Sequence, residues 1–315
     1  MASLPFRAGV AMRSAAYSSG LFKPARIEGA KVISVGNLTV GGSGKTPVVI
    51  FLAQWALACG AKVAIQTRGY GRASSSDVVF DSSALPSISD AGDEPRLIAR
   101  RCPGARVYVG AERKALAERA RADGATVVIL DDGFQHRQLA RDVDLVVVDQ
   151  LGNGHLMPWG PLREPPSALS RATIAWVKSG EAQGAKAVVR AAHEAIGWID
   201  ERGKEHPLEA LKGVDLIALA GIARPERFLA SIRATGATVA SSHLRPDHHL
   251  FTSADLERVR EDVKRLGTPV VTTEKDAERL PEDFPVWKLR LGVQVTEGAE
   301  PLAAALGWDG ARRPR

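Results

Sequence analysis

The sequence predicts an α/β protein, in which a parallel sheet with helices on both faces is followed by a second, smaller α/β domain. Two observations predict this class. Short apolar runs rich in β-branched residues alternate with segments of helical length, and these runs are continuous rather than alternating, as in strands buried on both faces. The length of 315 residues suits two domains rather than one.

The first half alternates strand and helix in the order that a parallel sheet requires. Gly60 ends the first long helix, and Pro95 lies in the first turn of the next. The predicted strands are 31–35, 62–66, 78–80, 106–109, 126–130, 144–148 and 174–177, and the predicted helices are 46–59, 94–101 and 112–121.

The pattern changes after a loop rich in glycine and proline at 152–166, and we place the domain boundary near residue 185. A β hairpin linker is expected from segments 187–189 and 195–199 around the turn 200–203. A second series of strands (216–220, 238–241, 269–272) and helices (225–234, 253–266) follows. The predicted divisions are therefore an N-terminal segment 1–30, a first domain 31–185 and a smaller domain 186–315.

The N-terminal segment mixes apolar and basic residues, and its first acidic residue is Glu28. A basic amphipathic helix lying in a membrane interface has this composition, as does a helix packed on the protein's own surface. No apolar stretch reaches the roughly 18 residues that span a bilayer. An anionic membrane surface is therefore a candidate partner of residues 1–30.

The overall charge is mildly basic, since 42 Lys and Arg against 36 Asp and Glu give +6. Aromatic residues make up 5% of the chain and are not interleaved with basic runs, which argues against nucleic acid as a partner. The two cysteines, Cys59 and Cys102, are far apart in the chain and are expected to be reduced thiols.

The strongest local signal is the run 36–46, GNLTVGGSGKT, which follows a strand and opens a helix. Backbone N–H groups of such a loop cradle phosphate oxygens at a helix N-terminus. Lys45 is expected to reach the β- and γ-phosphates of ATP, and Thr46 to bind Mg²⁺. Thr39 stands where the strict spacing has glycine, so a glycine-rich turn without a ligand is the alternative. The predicted nucleotide-binding residues are Gly41, Gly42, Ser43, Gly44, Lys45 and Thr46.

A second nucleotide signature is the apolar strand 127–130, which ends in Asp131 and Asp132. Ligands bind at the carboxyl ends of the strands in open α/β sheets. Carboxylates at that edge hold Mg²⁺ directly or through water. Both aspartates are therefore candidate magnesium ligands, and which of them binds directly stays open.

The motifs together resemble the tetraacyldisaccharide 4′-kinase family, and the likeness runs in order from about residue 31 to residue 280. Thr39 fits the loop of that family. The N-terminus departs from it, because the family's anchor is usually more apolar. The shared segments are 36–42 (GNLTVGG), 68–72 (RGYGR), 92–95 (GDEP), 131–136 (DDGFQH), 161–164 (PLRE), 221–222 (GI), 225–228 (PERF), 246–249 (PDHH) and 273–277 (TEKDA).

The resemblance implies a P-loop kinase that transfers the ATP γ-phosphoryl group to the 4′-hydroxyl of a tetraacylated glucosamine disaccharide 1-phosphate, a lipid A precursor. It implies ATP and Mg²⁺ as cofactors, with nucleotide on the first domain and the acceptor in the cleft. It also implies a location at the cytoplasmic face of the bacterial inner membrane, peripheral or weakly anchored.

The resemblance implies that Asp93 and His248 form an acid–base pair, with Lys45 as the third catalytic residue. By residue type alone, Asp93 is a helix cap. If His248 is not part of such a pair, residues 247–249 are a metal site or a solvated loop.

Several further residues are candidates for the same site. Glu164 is a candidate for the metal site. Asn37, Arg68 and Arg163 are candidates for substrate contact. The guanidinium of an arginine donates two parallel hydrogen bonds to phosphate oxygens. Residues 274–276 either join the site or form a self-contained ion cluster.

Two other functions are compatible with the loop. One is a P-loop NTPase of another class, GTPase-like or a different small-molecule kinase, since 273–276 (TEKD) superficially resembles a base-reading motif. The other is a nucleotide-dependent switch or scaffold without a phosphorylated product.

Overall fold

The structure is a computed structural model that describes residues 3–42 and 44–314. Within these ranges, helices flank one continuous sheet. The helices are α1 (Ser3–Ser18), α2 (Lys45–Ala58), α3 (Ile88–Ala91), α4 (Asp93–Arg101), α5 (Arg113–Ala122), α6 (Pro225–Ala234), α7 (Ser253–Leu266), α8 (Glu274–Ala277) and α9 (Ala299–Leu306). The strands are β1 (Lys31–Asn37), β2 (Val63–Thr67), β3 (Val78–Phe80), β4 (Arg106–Val109), β5 (Val127–Asp131), β6 (Val143–Val148), β7 (Ile174–Val177), β8 (Ala187–Ile199), β9 (Glu205–His206), β10 (Asp215–Ala220), β11 (Thr238–Leu244), β12 (Val270–Thr273) and β13 (Trp287–Glu297).

The strand order is β11-β10-β12-β13-β8-β7-β6-β1-β5-β2-β4-β3, and β9 pairs with β8 off this path. The first half, from β7 to β4, is parallel, and β3 is an antiparallel edge strand. Because the carboxyl ends of parallel strands meet at one edge, the residues that follow β1, β5 and β2 lie close together. The α/β class with a parallel sheet is confirmed.

The two halves of the sheet are joined by the long strands β8 and β13, which pair antiparallel. β8 continues the parallel first half through β7, and β13 lies parallel to β12 in the second half. The predicted hairpin turn forms, but it connects β8 to the two-residue strand β9. The two segments predicted for that hairpin are one continuous strand, because β13 pairs along its length.

Helix α2 lies under the sheet and is buried along most of its length. Its apolar side chains pack in one core with Ile33 of β1, Ile129 of β5 and Val293 of β13. The C-terminal segment returns to this core: the rings of Trp55 and Trp308 have centroids 5.6 Å apart, and Trp55 Nε1 donates to the carbonyl of Asp309 at 2.8 Å. The helix that presents the glycine-rich loop is therefore anchored on both sides.

Most predicted elements agree with the observed ones to within two residues, including the helix at α4 and the helices at α6 and α7. Strand β13 was not predicted, and neither were the helices α3, α8 and α9. In the part of the chain that is described, no helix combines the length and the apolar character needed to cross a membrane.

Candidate active site

The loop between β1 and α2 has the backbone shape of a phosphate site. Gly41 and Gly44 have φ values of 92° and 79°, in the left-handed region that glycine adopts without strain. Gly44 is the N-cap of α2 and makes no side-chain cap hydrogen bond, so no capping side chain blocks the first N–H groups of the helix, which face the loop. Gly42 lies between them, and Ser43 lies outside the described residues.

Lys45 begins α2, and its ammonium group points toward two side chains at the strand ends. Lys45 Nζ lies 3.3 Å from Asn37 Oδ1 and 3.2 Å from Asp132 Oδ1. Asn37 is the last residue of β1, and its side-chain amide donates to the Thr39 hydroxyl at 3.2 Å. The structure thus brings together the predicted loop lysine, one predicted substrate residue and one predicted metal ligand.

The two aspartates after β5 have different environments. Asp131 is buried and accepts a hydrogen bond from the Thr67 hydroxyl at 3.1 Å. Burial, and then the nearby charge of Glu94, raise the pKa of Asp131 to about 6, although the charge of Lys45 opposes them. Asp131 therefore exchanges its proton close to neutral pH.

Asp132 has a φ of 51°, a turn that directs its carboxylate to Lys45 and to Arg163, whose guanidinium lies 2.8 Å away. Burial would raise the pKa of Asp132, but the positive charges of Lys45 and Arg163 outweigh it and hold that pKa below its ordinary value. Asp132 is ionised throughout the physiological range.

The predicted magnesium ligands separate into two groups. Thr46 lies in the first turn of α2, and the two aspartates follow the adjacent strand. Glu164 is bound instead by Arg171, with nitrogen–oxygen distances of 2.7 and 3.1 Å. Among the residues described, no group of three or more His, Cys, Asp and Glu side chains is arranged to hold a metal ion. A hydroxyl and two carboxylates nevertheless suit Mg²⁺, which keeps several waters.

Asp93 and His248 meet across the molecule, although 155 residues separate them in the chain. Asp93 is 3% exposed at the start of α4, and His248 follows β11 with a φ of 60°. His248 Nδ1 lies 3.2 Å from Asp93 Oδ2, while Asp93 Oδ1 accepts the backbone N–H of Glu94 at 2.8 Å. One oxygen of Asp93 thus serves the helix backbone and the other faces the histidine.

The protonation of this pair follows from its neighbours. Burial would raise the pKa of Asp93, but the hydrogen bond to His248 and the charges of Lys275 and Arg279 hold it below its ordinary value. The hydrogen bond to Asp93 raises the pKa of His248 against burial and the charge of Lys275. Asp93 is therefore an ionised carboxylate at neutral pH.

Residues 274–276 do not form a self-contained ion cluster, because Lys275 and Glu274 pair with side chains of helix α4. Lys275 Nζ lies 3.0 Å from Glu94 Oε1 and 3.3 Å from His248 Nε2. Arg279 Nε lies 3.3 Å from Asp93 Oδ2, and Asp276 accepts the backbone N–H of Gly221 at 3.1 Å. The second half of the chain thus supplies two cations to the carboxylate on the first.

Four further residues contact the site without having been predicted from the sequence: Glu94, Arg279, Thr67 and Arg113. Glu94 is the only one with a local signal, since it adjoins Asp93. Arg113 is buried at the start of α5 and donates to the backbone carbonyl of Asp132 at 3.3 Å. Long-range contacts of this kind leave no pattern in a single sequence.

Arg68 lies at a cavity of about 490 Å³ rather than in direct contact with the loop lysine. The cavity is bounded by the N-terminal segment on one side and by the turns after β2, β4 and β5 on the other. Its lining residues are Tyr17, Phe22, Arg68, Ala111, Glu112, His136 and Gln138.

A glycine-rich loop with its lysine and paired acids at the next strand end define the class of P-loop phosphotransferases, and a buried aspartate that contacts a histidine accompanies them. Residues 1–306 match the protein family described as LpxK, Tetraacyldisaccharide-1-P 4'-kinase. The chain belongs to this family.

Curated relatives and a solved structure agree with this assignment. The chain is 43% identical to the tetraacyldisaccharide 4'-kinase of Anaeromyxobacter dehalogenans strain 2CP-C, covering 97% of this chain and 88% of the relative. It is 39% identical to that of Syntrophus aciditrophicus, covering 92% and 84%. The crystal structure of LpxK from Aquifex aeolicus in complex with ATP aligns with a TM-score of 0.81 at 29% identity, covering 96% of this chain and 95% of that one.

Proposed function

We propose that the protein transfers the γ-phosphoryl group of ATP to the 4′-hydroxyl of a tetraacylated glucosamine disaccharide 1-phosphate, a step of lipid A biosynthesis. The observation that carries this proposal is the contact of Asp93 with His248, near the loop whose helix begins with Lys45. Glu94 links the Asp93–His248 pair to the acids near Lys45, because it pairs with Lys275 and its charge acts on Asp131.

The residues divide the work of phosphoryl transfer between charge neutralisation and proton removal. Lys45 neutralises the β- and γ-phosphates. As the acceptor oxygen bonds to the γ-phosphorus and the bond to the ADP oxygen breaks, the hydroxyl proton passes to Asp93. His248 orients Asp93 and stabilises its charge, and Arg163 offers a guanidinium to the phosphates beside Asp132.

Thr46, Asp131 and Asp132 are the residues that would hold Mg²⁺. The bound ion would neutralise charge on the phosphates and align them. Glu164, which the sequence also suggested, is engaged by Arg171 and would have to release it before binding a metal.

The cavity at Arg68 is the proposed site of the sugar phosphate. Arg68 and His136 are polar groups suited to an anionic sugar, and Tyr17 and Phe22 come from the N-terminal segment, where acyl chains would leave the protein. Met12 and Leu21 are 73% and 74% exposed. They support a peripheral location at the cytoplasmic face of the inner membrane, with the segment in the lipid interface.

Acceptor dependence and nucleotide preference test the proposal. Purified protein, Mg²⁺ and γ-labelled ATP are incubated with and without the acylated disaccharide 1-phosphate, and label in the lipid is measured after extraction. We expect acceptor-dependent labelling and a lower rate with GTP. ATP binding without labelled lipid would favour a switch, and equal or faster turnover with GTP would favour another class of P-loop NTPase.

A further inference from the structure

Asp149, which follows β6, gathers three cations on one carboxylate oxygen. Asp149 Oδ2 lies 2.9 Å from Arg227, 3.2 Å from Arg224 and 3.8 Å from Lys178. The other oxygen accepts the Ser179 hydroxyl at 2.8 Å. Lys178 follows the neighbouring strand β7, whereas Arg224 and Arg227 lie at the start of α6 in the second half of the chain. We call these four charged residues the Asp149 cluster.

The Asp149 cluster carries more positive charge than its carboxylate neutralises. Three cations face one anion, and His193 on β8 adds none, because burial and the charge of Lys178 lower its pKa to about 3. The side chains of Arg224 and Arg227 are 43% and 49% exposed, so the surplus is presented to solvent rather than buried. Such a surplus attracts an anion.

The cluster lies against the glycine-rich loop. A Cβ atom built on Gly44 would be 2.8 Å from Lys178 Nζ and 2.9 Å from the His193 ring. One built on Gly42 would be 3.7 Å from Cβ of Ala223, the residue before Arg224. The two arginines are thus next to the loop that is proposed to hold the triphosphate, on the side of β6 and β7, opposite to the acids of β5.

We propose that Arg224 and Arg227 bind phosphate oxygens of the nucleotide on this loop, with Asp149 as their partner when no nucleotide is bound. This inference rests on the proposed function, since it needs ATP on the loop. The single carboxylate of Asp149 does not balance the three cations, and a polyphosphate supplies further negative charge. A guanidinium binds phosphate oxygens through two parallel hydrogen bonds. Lys178 stays with Asp149. The second half of the chain then contacts the nucleotide directly through these two arginines.

Binding of ATP, ADP and AMP to the full-length protein tests this assignment. Arg224→Ala and Arg227→Ala are compared with Arg233→Ala, an exposed arginine in the last turn of the same helix. Dissociation constants are measured by calorimetry with Mg²⁺. Loss of a charged hydrogen bond corresponds to about 10- to 100-fold in affinity. We expect the affinity for ATP to fall by this factor in Arg224→Ala and in Arg227→Ala, and the affinity for AMP to fall by less than about threefold. Arg233→Ala should leave both affinities unchanged.

A role confined to holding the two halves together predicts a different pattern. Such a role lowers the melting temperature and weakens the binding of ATP and of AMP by the same factor. Equal losses of affinity for the two nucleotides, or no loss for either, would overturn the inference. Arg227→Lys, which keeps the charge without the fork, should recover part of the ATP affinity. Asp149→Asn should bind ATP at least as tightly as the unaltered protein, because the competing carboxylate is gone, and a tenfold loss there would also overturn it.

The same series separates this inference from the proposed function. If the unaltered protein binds no ATP, the proposed function itself fails. If it binds ATP and both arginine variants bind ATP equally well, only the role of the arginines fails.

Discussion

Asp93 shows how one carboxylate can satisfy a helix end and also contact a side chain from the other half of the chain. Its residue type and position before Pro95 are those of a helix cap, and one oxygen does accept the backbone N–H of Glu94. The other oxygen faces His248 and Arg279. The two uses do not compete, because each takes a different oxygen.

Replacing Asp93 by Asn should remove the proton acceptor while keeping the local hydrogen bond to the helix. We expect kcat to fall by about two to four orders of magnitude, with the dissociation constant for ATP changed less than about threefold. Asp283→Asn, at an exposed position, is the control. Near-normal kcat in Asp93→Asn would remove Asp93 as the base.

The pKa of Asp131 predicts an acid limb in the rate profile. Its carboxylate is needed ionised, so kcat/KM for ATP should fall as the pH drops through about 6. Glu94→Gln removes a negative charge that raises the pKa of Asp131. That substitution should therefore move the acid limb to lower pH, whereas Glu209→Gln at the surface should not. An acid limb that stays in place or moves to higher pH would contradict this assignment.

Residue types alone predicted the loop, the two aspartates and the edge of the sheet at which they meet. The partnership of Asp93 with His248 came from the resemblance, since helix capping explains Asp93 equally well by residue type. Arg279 was not assigned and the role of Lys275 stayed open. Their contacts with Asp93 and Glu94 join positions some 180 residues apart, which only the folded chain brings together.

At the scale of elements, α4 and the segment from α8 to Glu278 are held together by ion pairs. Glu278 binds Arg96 at 3.0 Å and Arg100 at 2.6 Å, and Arg101 binds Glu274 at 2.6 Å. Asp93 begins α4, so these pairs fix its helix against the half that carries His248. They lie outside the reacting groups and act through the position of Asp93.

Glu278→Gln should weaken this contact while keeping the shape of the side chain. Because Glu278 is buried and Arg96 nearly so, we expect the free energy of unfolding to fall by roughly 1–3 kcal/mol. We also expect kcat to fall more than the affinity for ATP. Denaturant unfolding and steady-state kinetics measure the two effects, with exposed Glu282→Gln as the control. Unchanged stability and kcat would show that the pairs do not position α4.

Helix α1 and the residues after it expose Met12, Leu21 and Phe22. Met12→Ser with Leu21→Ser should lower partitioning onto vesicles containing anionic lipid by at least about tenfold, since two apolar side chains no longer enter the interface. Ile196→Ser, at an exposed apolar position on β8, is the matched control. Equal flotation of all three proteins would contradict the interface role.

Strand β13 escaped prediction for a physical reason. β13 is only partly buried and lacks the continuous apolar run by which the parallel strands were found. Its antiparallel pairing with β8 is specified by tertiary contacts. The strands of the first half were predictable because burial on both faces makes them apolar throughout.

At the scale of the whole molecule, the candidate site lies where the two halves of one sheet meet. The loop and the aspartates come from the first half, and His248, Lys275 and the arginines of the Asp149 cluster come from the second. The division at residue 185 remains a prediction. Because Trp308 and Asp309 pack on α2, the C-terminal segment would move with the first half if the halves close over a ligand.

The most direct test of this account is the position of the phosphate on the product. Full-length protein is incubated with MgATP and the tetraacylated disaccharide 1-phosphate, and the lipid product is analysed by phosphorus NMR beside Lys45→Met and Asp93→Asn. We expect a second phosphomonoester on the 4′-oxygen with the unaltered protein and at most traces with either variant. A lipid that keeps a single phosphate, or a new phosphate on another hydroxyl, would contradict it.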